Sequence, residues 1–173
     1  NTKNVQNESV LFQAFRLKDD KTGELLQDKY KGDINAQDHK FNSLVHLAFI
    51  QKDFQRIEYL SKRHINMDLK NNKGHSILMM AFFDEVNFQT WDFLLEMGSN
   101  ISTTDYQNNS MLHHLFFMKE AREDVFRYLM NKKIDYDIEN NHGQFAISIA
   151  IEMSHDKFGF ELLNLNCKIL DQK

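Results

Sequence analysis

His113 and His114, adjacent in the apolar run NNSMLHHLFF (108–117), are the side chains of this sequence most suited to chemistry. Two imidazoles in apolar surroundings could ligate a metal, move protons, or make hydrogen bonds inside a core. Cys167 could serve as a nucleophile, but that role needs a matched histidine and an oxyanion site, and nothing in the sequence points to either. The acidic pairs Asp19–Asp20 and Asp84–Glu85 fall at or near expected loops, where they read as solvated caps rather than acid–base pairs. The patterns H-E-x-x-H, G-x-S-x-G, the P-loop and G-x-G-x-x-G are missing. The expectation is a chain with no catalytic residues, no metal site and no cofactor, hence not an enzyme.

The bulk properties narrow the choice. At 173 residues the chain is long enough for one domain with a sizeable core. Its 42% apolar and 27% charged residues are ordinary for a globular domain. A net charge of −4 and a pI near 6.1 exert no general pull toward nucleic acid or anionic lipid. One cysteine excludes an intrachain disulfide and a multi-cysteine zinc site, and it suits a reducing, cytoplasmic setting. No apolar run approaches the ~20 residues needed to cross a bilayer. The polar start NTKNVQNES lacks a signal-peptide pattern. Because the chain opens on Asn1 rather than Met, it is read as a segment of something longer. Proline is absent and glycine scarce, while Asn, Lys, Phe and Ile abound, a bias that suggests AT-rich coding.

The histidine pair has relatives along the chain. NESVLFQA (7–14), FNSLVHLA (41–48), GHSILMMA (74–81), NNSMLHHL (108–115) and GQFAISIA (143–150) align, and their last residues lie 34, 33, 34 and 35 positions apart. A second echo precedes each of the last four blocks: GDINAQD (32–38), INMDLKN (65–71), SNISTTD (99–105) and IDYDIEN (134–140). A third follows at helical spacing: Ile57, Tyr59 and Leu60; Trp91, Phe93 and Leu94; Phe126, Tyr128 and Leu129; Phe160, Leu162 and Leu163, whose aromatic and leucine positions are expected to supply a buried layer.

A period near 33 residues carrying a T-P-L-H-x-A-like block resembles the ankyrin repeat, a β-turn followed by two antiparallel helices. The resemblance spans the chain as five repeats, near 1–34, 35–67, 68–101, 102–136 and 137–173. It implies an all-α solenoid of stacked helix-turn-helix units with β-turn fingers, forming a single domain. Ser9, Ser43, Ser76 and Ser110 take the Thr slot and can cap the first helix of each repeat. Gly74 and Gly143 take a turn slot that favours positive φ, Asn7 and Asn108 are tolerable there, and Phe41 is not a usual occupant. The Pro slot is apolar throughout (Val10, Leu44, Ile77, Met111, Ala146), Phe145 replaces the capping hydroxyl, and Leu115 replaces the small alanine. Extra residues around 84–88 and 118–122 should enlarge the loops inside two repeats, and Cys167 resembles the turn glycine after helix two.

On this resemblance His113 and His46 are structural, hydrogen-bonding backbone near the turns. Phe12, Met79 and Ser148 hold the same slot, so no chemistry depends on an imidazole there. His114 shares its slot with Leu47, Met80 and Ile149, facing a neighbouring repeat.

The resemblance also implies where a partner would dock: on the fingers and on the exposed face of helix one. The expected site residues are Ile50, Phe83, Phe117 and Met118 on the helices, with Tyr106, Gln107, His39, Lys40, Lys70 and Lys73 on the fingers. Two readings of the phenylalanines stand open. Either they line an apolar groove rimmed by lysines, receiving a helix or extended peptide of some acidic character, or they turn inward as core. The fifth repeat, FAISIAIEM followed by Leu162, Leu163, Leu165, Ile169 and Leu170, reads as interior, so further chain or a partner subunit is expected to cover it. The expected function is a scaffold or adaptor for another protein. The alternative is a regulatory or targeting domain of a larger enzyme, channel or secreted effector. Scattered lysines make no continuous track for nucleic acid, and no membrane insertion is expected.

Overall fold

The computed structural model describes residues 9–19, 21–23 and 32–170, without the side chains of 166–170. Its helices are of two kinds, which alternate from residue 44 onward. The first kind is short and mostly apolar: α1 (Val10–Arg16), α2 (Leu44–Ile50), α4 (Ile77–Phe83), α6 (Met111–Phe117) and α8 (Ala146–Glu152). The second kind is α3 (Phe54–Ser61), α5 (Phe88–Glu96), α7 (Glu123–Asn131) and α9 (Asp156–Leu170). Among the described residues there is no β-strand. Two isolated antiparallel bridges, Thr104 with Ser110 and Glu139 with Phe145, close the stems of two turns. Nor is any described helix long and apolar enough to cross a membrane.

The starts and stops of the short helices explain their length. Ser9, Ser43, Ser76 and Ser110 each sit in extended backbone at the N-cap, and Phe145 stands there for α8 without a side-chain cap. At the other end Lys18, Lys52, Glu85 and Ser154 adopt φ between 50° and 61°. This left-handed residue turns the chain back, so the next N–H reaches the alanine carbonyl five residues earlier: Asp19 to Ala14 (2.9 Å), Asp53 to Ala48 (2.9 Å), Val86 to Ala81 (3.3 Å) and His155 to Ala150 (2.7 Å). α6 is the exception. Met118 is extended there and the loop to α7 runs over 118–122, longer than 51–53 or 153–155.

The chain divides into two compact units, Asn1–Asn100 and Ile101–Lys173. In the first, α2 packs on α3 and α4 on α5, while α2 touches both α1 and α4. Ala48 and Ala81 are fully buried there, and their small side chains let the short helices approach. Ile57, Leu60, Trp91 and Leu94 form the buried face of the longer helices. In the second unit α6 packs on α7, α8 on α9, and α6 on α8, around Leu115, Phe116, Phe126, Leu129 and Ala150.

Two expectations are corrected in α9. Phe160, aligned with the buried residues of the other long helices, is 67% exposed, and Leu163 is exposed as well. Leu162 of the same echo is buried as expected, and Phe158 is buried in place of Phe160, against Phe126 at 4.8 Å between ring centroids. Counted from each helix start, Gly159 occupies the place of Ile57, Trp91 and Phe126. A Cβ at Gly159 would come within 3.1 Å of Ile151 Cγ1, so the absent side chain suits the close approach of α9 to α8. On the same count Leu162 takes the place of Leu60, Leu94 and Leu129, so the buried face keeps its position and the sequence echo was set one residue too late. The second correction is Cys167, whose backbone lies inside α9 and not in a turn; its side chain is outside the described residues.

Candidate functional site

Four turns of one design precede α2, α4, α6 and α8. Each is organised by an Asp or Asn whose side-chain oxygen accepts from the N–H groups two and four residues on. Asp38 accepts from Lys40 and Asn42 (2.8 Å each), and Asn71 from Lys73 and His75 (2.9 and 3.2 Å). Asp105 does the same for Gln107 and Asn109 (2.8 Å each), and Asn140 for His142 and Gln144 (2.9 and 3.0 Å). One residue per turn then takes positive φ: Phe41 (58°), Gly74 (82°), Asn108 (61°) and Gly143 (74°). Successive turns inside a unit are joined by backbone, Asn72 N–H to Lys40 C=O and Asn141 N–H to Gln107 C=O, both 2.8 Å. These anchors are the final residues of the second sequence echo, and the echo alone did not reveal their role. The available signal was an Asp or Asn five residues before each helix cap.

The histidines are held inside this frame. Nδ1 of His46 accepts the Ser43 backbone N–H at 3.2 Å and lies 2.7 Å from its hydroxyl, while Nε2 reaches the carbonyl of His75 at 3.0 Å. His113 repeats the arrangement with Ser110 (3.2 and 2.8 Å) and the carbonyl of Gln144 (3.1 Å). An accepting Nδ1 and a donating Nε2–H define the neutral tautomer. Burial pushes both imidazoles below their ordinary pKa, outweighing the carbonyl that favours the proton.

His114 is different. Its Nε2 meets Oδ2 of Asp105 at 2.9 Å, tying α6 to the turn before it. Burial also lowers this imidazole, against the pull of the carboxylate, so a neutral ring donates the bond. Burial would raise Asp105, but hydrogen bonds from Asn109, the nearby His114 and the Gln107 N–H bring it below its usual value. The spacing of nine residues between the partners gave the sequence no motif to display. Among the described residues no three His, Cys, Asp or Glu side chains are grouped as for a metal ion.

The exposed side chains are best taken unit by unit. In the first, Ile50 is 56% and Phe83 38% exposed at the ends of α2 and α4. Phe83 does not turn into the core: its ring stacks on His75, 4.4 Å between centroids and 18° from parallel. His39, Lys40 and Lys73 are exposed on the turns, and Lys70 is half-buried with its carbonyl accepting from Gln37 Nε2 at 2.9 Å. In the second unit Phe117 is 44% exposed, its ring edge toward His114 at 6.3 Å, and Tyr106 and Gln107 stand out on the turn. Met118 is half-buried, because the chain leaves α6 extended there and its carbonyl is taken by His155 Nε2 at 3.0 Å. Ile151, Met153, Phe160 and Leu163 add exposed apolar groups on α8, the loop that follows it and α9.

No family model matches the chain, and no curated protein matches it.

Proposed function

We propose that this chain is a divergent ankyrin-repeat protein and works, without catalysis, as an interaction scaffold for another protein inside the cell. The carrying observation is that large apolar side chains occupy the exposed end of successive short helices: Ile50 and Phe83 in one unit, Phe117 in the other. Aromatic side chains in such places supply contact area at little entropic cost, and exposed apolar side chains of this size mark association surfaces. Lys40, Lys70, Lys73 and His39 on the turns of the first unit favour a partner segment with acidic flanks, and Tyr106, Gln107 and Met118 complete the surface of the second. Rigid display is the mechanism. The turns are anchored by repeated side-chain acceptors, so their exposed residues meet a partner with little ordering left to do.

The test is substitution of Phe83 and Phe117 by Ser, singly and together, in a chain used to capture partners by affinity purification. The reading expects partner loss with the urea midpoint nearly unchanged. If instead each substitution lowers stability by roughly 3–5 kcal/mol, as for a core aromatic truncated in place, both rings serve the fold and the reading fails.

A further inference from the structure

Phe41 is a costly choice. The four anchored turns require a left-handed residue at one place, and glycine holds it at 74 and 143, asparagine at 108. Those residue types reach positive φ readily, whereas a bulky side chain there is an outlier. Phe41 nonetheless sits at φ 58°, its N–H bonded to the Asp38 carbonyl at 3.0 Å, as Gly74 bonds to Asn71 and Gly143 to Asn140. Folding offers little in return. The side chain is 54% exposed, and no aromatic ring among the described residues lies against it. A strained residue that packs poorly is retained for something the folded chain alone does not show.

Its surroundings indicate what. His39 and Lys40 precede it and are exposed. Lys73 is exposed on the next turn, which is joined to this one through Asn72 and Lys40. The carboxylate of Asp38 is engaged by the N–H groups of Lys40 and Asn42 and by Asn42 Nδ2 at 3.1 Å, so it is directed into the turn and not toward the cations at the tip. The result is an aromatic ring projecting among exposed lysines.

Resting on the interaction reading above, we infer that the 38–42 turn is an anchor, with Phe41 inserting into an acidic segment of another protein that also carries apolar side chains, and with Lys40 and Lys73 pairing with its carboxylates. A nucleic acid would also meet cations and a ring. The protein partner is favoured because the tip carries few cations and the chain as a whole is negative, −4.

The test uses the full chain and three immobilised probes: a random glutamate–tyrosine copolymer, a lysine–tyrosine copolymer, and a single-stranded oligonucleotide. Phe41→Gly and Phe41→Asn, which install the residues of the sister turns, should raise the melting temperature by about 2–4 °C. Both should weaken retention on the glutamate–tyrosine copolymer about tenfold or more, the loss expected of a hot-spot aromatic. The charge reversal Lys40→Glu with Lys73→Glu should weaken it similarly at unchanged melting temperature. The inference is overturned if Phe41→Gly and Phe41→Asn bind as the parent does, if both are less stable than the parent, or if the oligonucleotide or the lysine copolymer is bound more tightly than the glutamate copolymer. Phe83→Ser is carried alongside: loss of binding there with none at Phe41 overturns the anchor alone, while loss at neither removes the interaction reading itself.

Discussion

Helices α2 and α4 lie side by side in one unit and enter their first turns by different means. At α2 the serine hydroxyl, the serine N–H and the carbonyl of the next turn all converge on the His46 ring. At α4 Ser76 Oγ accepts from the Met79 N–H at 3.4 Å, and Met79 is fully buried with no polar group to satisfy. α6 follows the first pattern through His113, and α1 follows the second through Ser9 and Phe12. The same slot therefore accepts an imidazole that links two turns or a hydrocarbon that simply fills space. What changes with the choice is how the helix responds to truncation and to acid.

Truncating the imidazole should break the comparison most forcefully. His113→Ala leaves a void, takes the imidazole acceptor from the Ser110 N–H, and leaves the Gln144 carbonyl with the Asn140 N–H alone. The expected cost is about 3–4 kcal/mol in urea unfolding, combining cavity and lost hydrogen bonds. His113→Met, copying Met79, refills the volume and should recover roughly half. Full recovery would mean that the ring's hydrogen bonds add nothing beyond shape.

The parts legible in the sequence were those set by a single residue at a fixed place. Ser43 and Ser110 announced helix starts, Gly74 and Gly143 announced left-handed turns, and the recurring block placed His46 and His113 as structural. That Phe83 and Phe117 are exposed was one of two open readings, and periodicity could not choose because an end-of-helix aromatic can face either way. Three features were hidden for physical reasons. The Asp and Asn anchors act on backbone N–H groups, which carry no sequence signature beyond spacing. The His114–Asp105 bond joins residues nine apart whose meeting depends on the turn between them. The buried face of α9 was set one residue too late because Gly159, in the place of Ile57, Trp91 and Phe126, offers no apolar side chain to align, and the exposed Phe160 was matched in its stead.

Acid offers a gentler way to separate the two kinds of cap. The folded pKa values of His46 and His113 lie below the ordinary 6.5, so the unfolded chain binds protons first. Their contribution is complete above pH 6.5 and is lost as pH falls below it and on through the folded values, stability rising with pH across that window. His114 adds in the same direction, whereas the depressed Asp105 loses its contribution only below about 3.8. The urea midpoint should therefore drop between pH 7.5 and 5.5, by less than His113→Ala causes, since a protonated ring keeps its volume and its Nε2 bond. In His46→Met with His113→Met most of that drop should vanish. A drop of the same size in the double variant would locate the acid response elsewhere.

The smallest effect probes the serines themselves. Ser76→Ala removes one long hydrogen bond to a backbone N–H and should cost about 1 kcal/mol, typical of a serine cap. Ser43→Ala and Ser110→Ala remove a hydroxyl that also lies 2.7 or 2.8 Å from an imidazole Nδ1, and should cost nearer 2 kcal/mol. The difference between the two sets isolates the serine–histidine contact, since the backbone geometry of the three caps is closely alike. Equal losses at all three positions would show that the hydroxyl serves only the helix end, leaving the imidazole anchored by the serine N–H and the distant carbonyl.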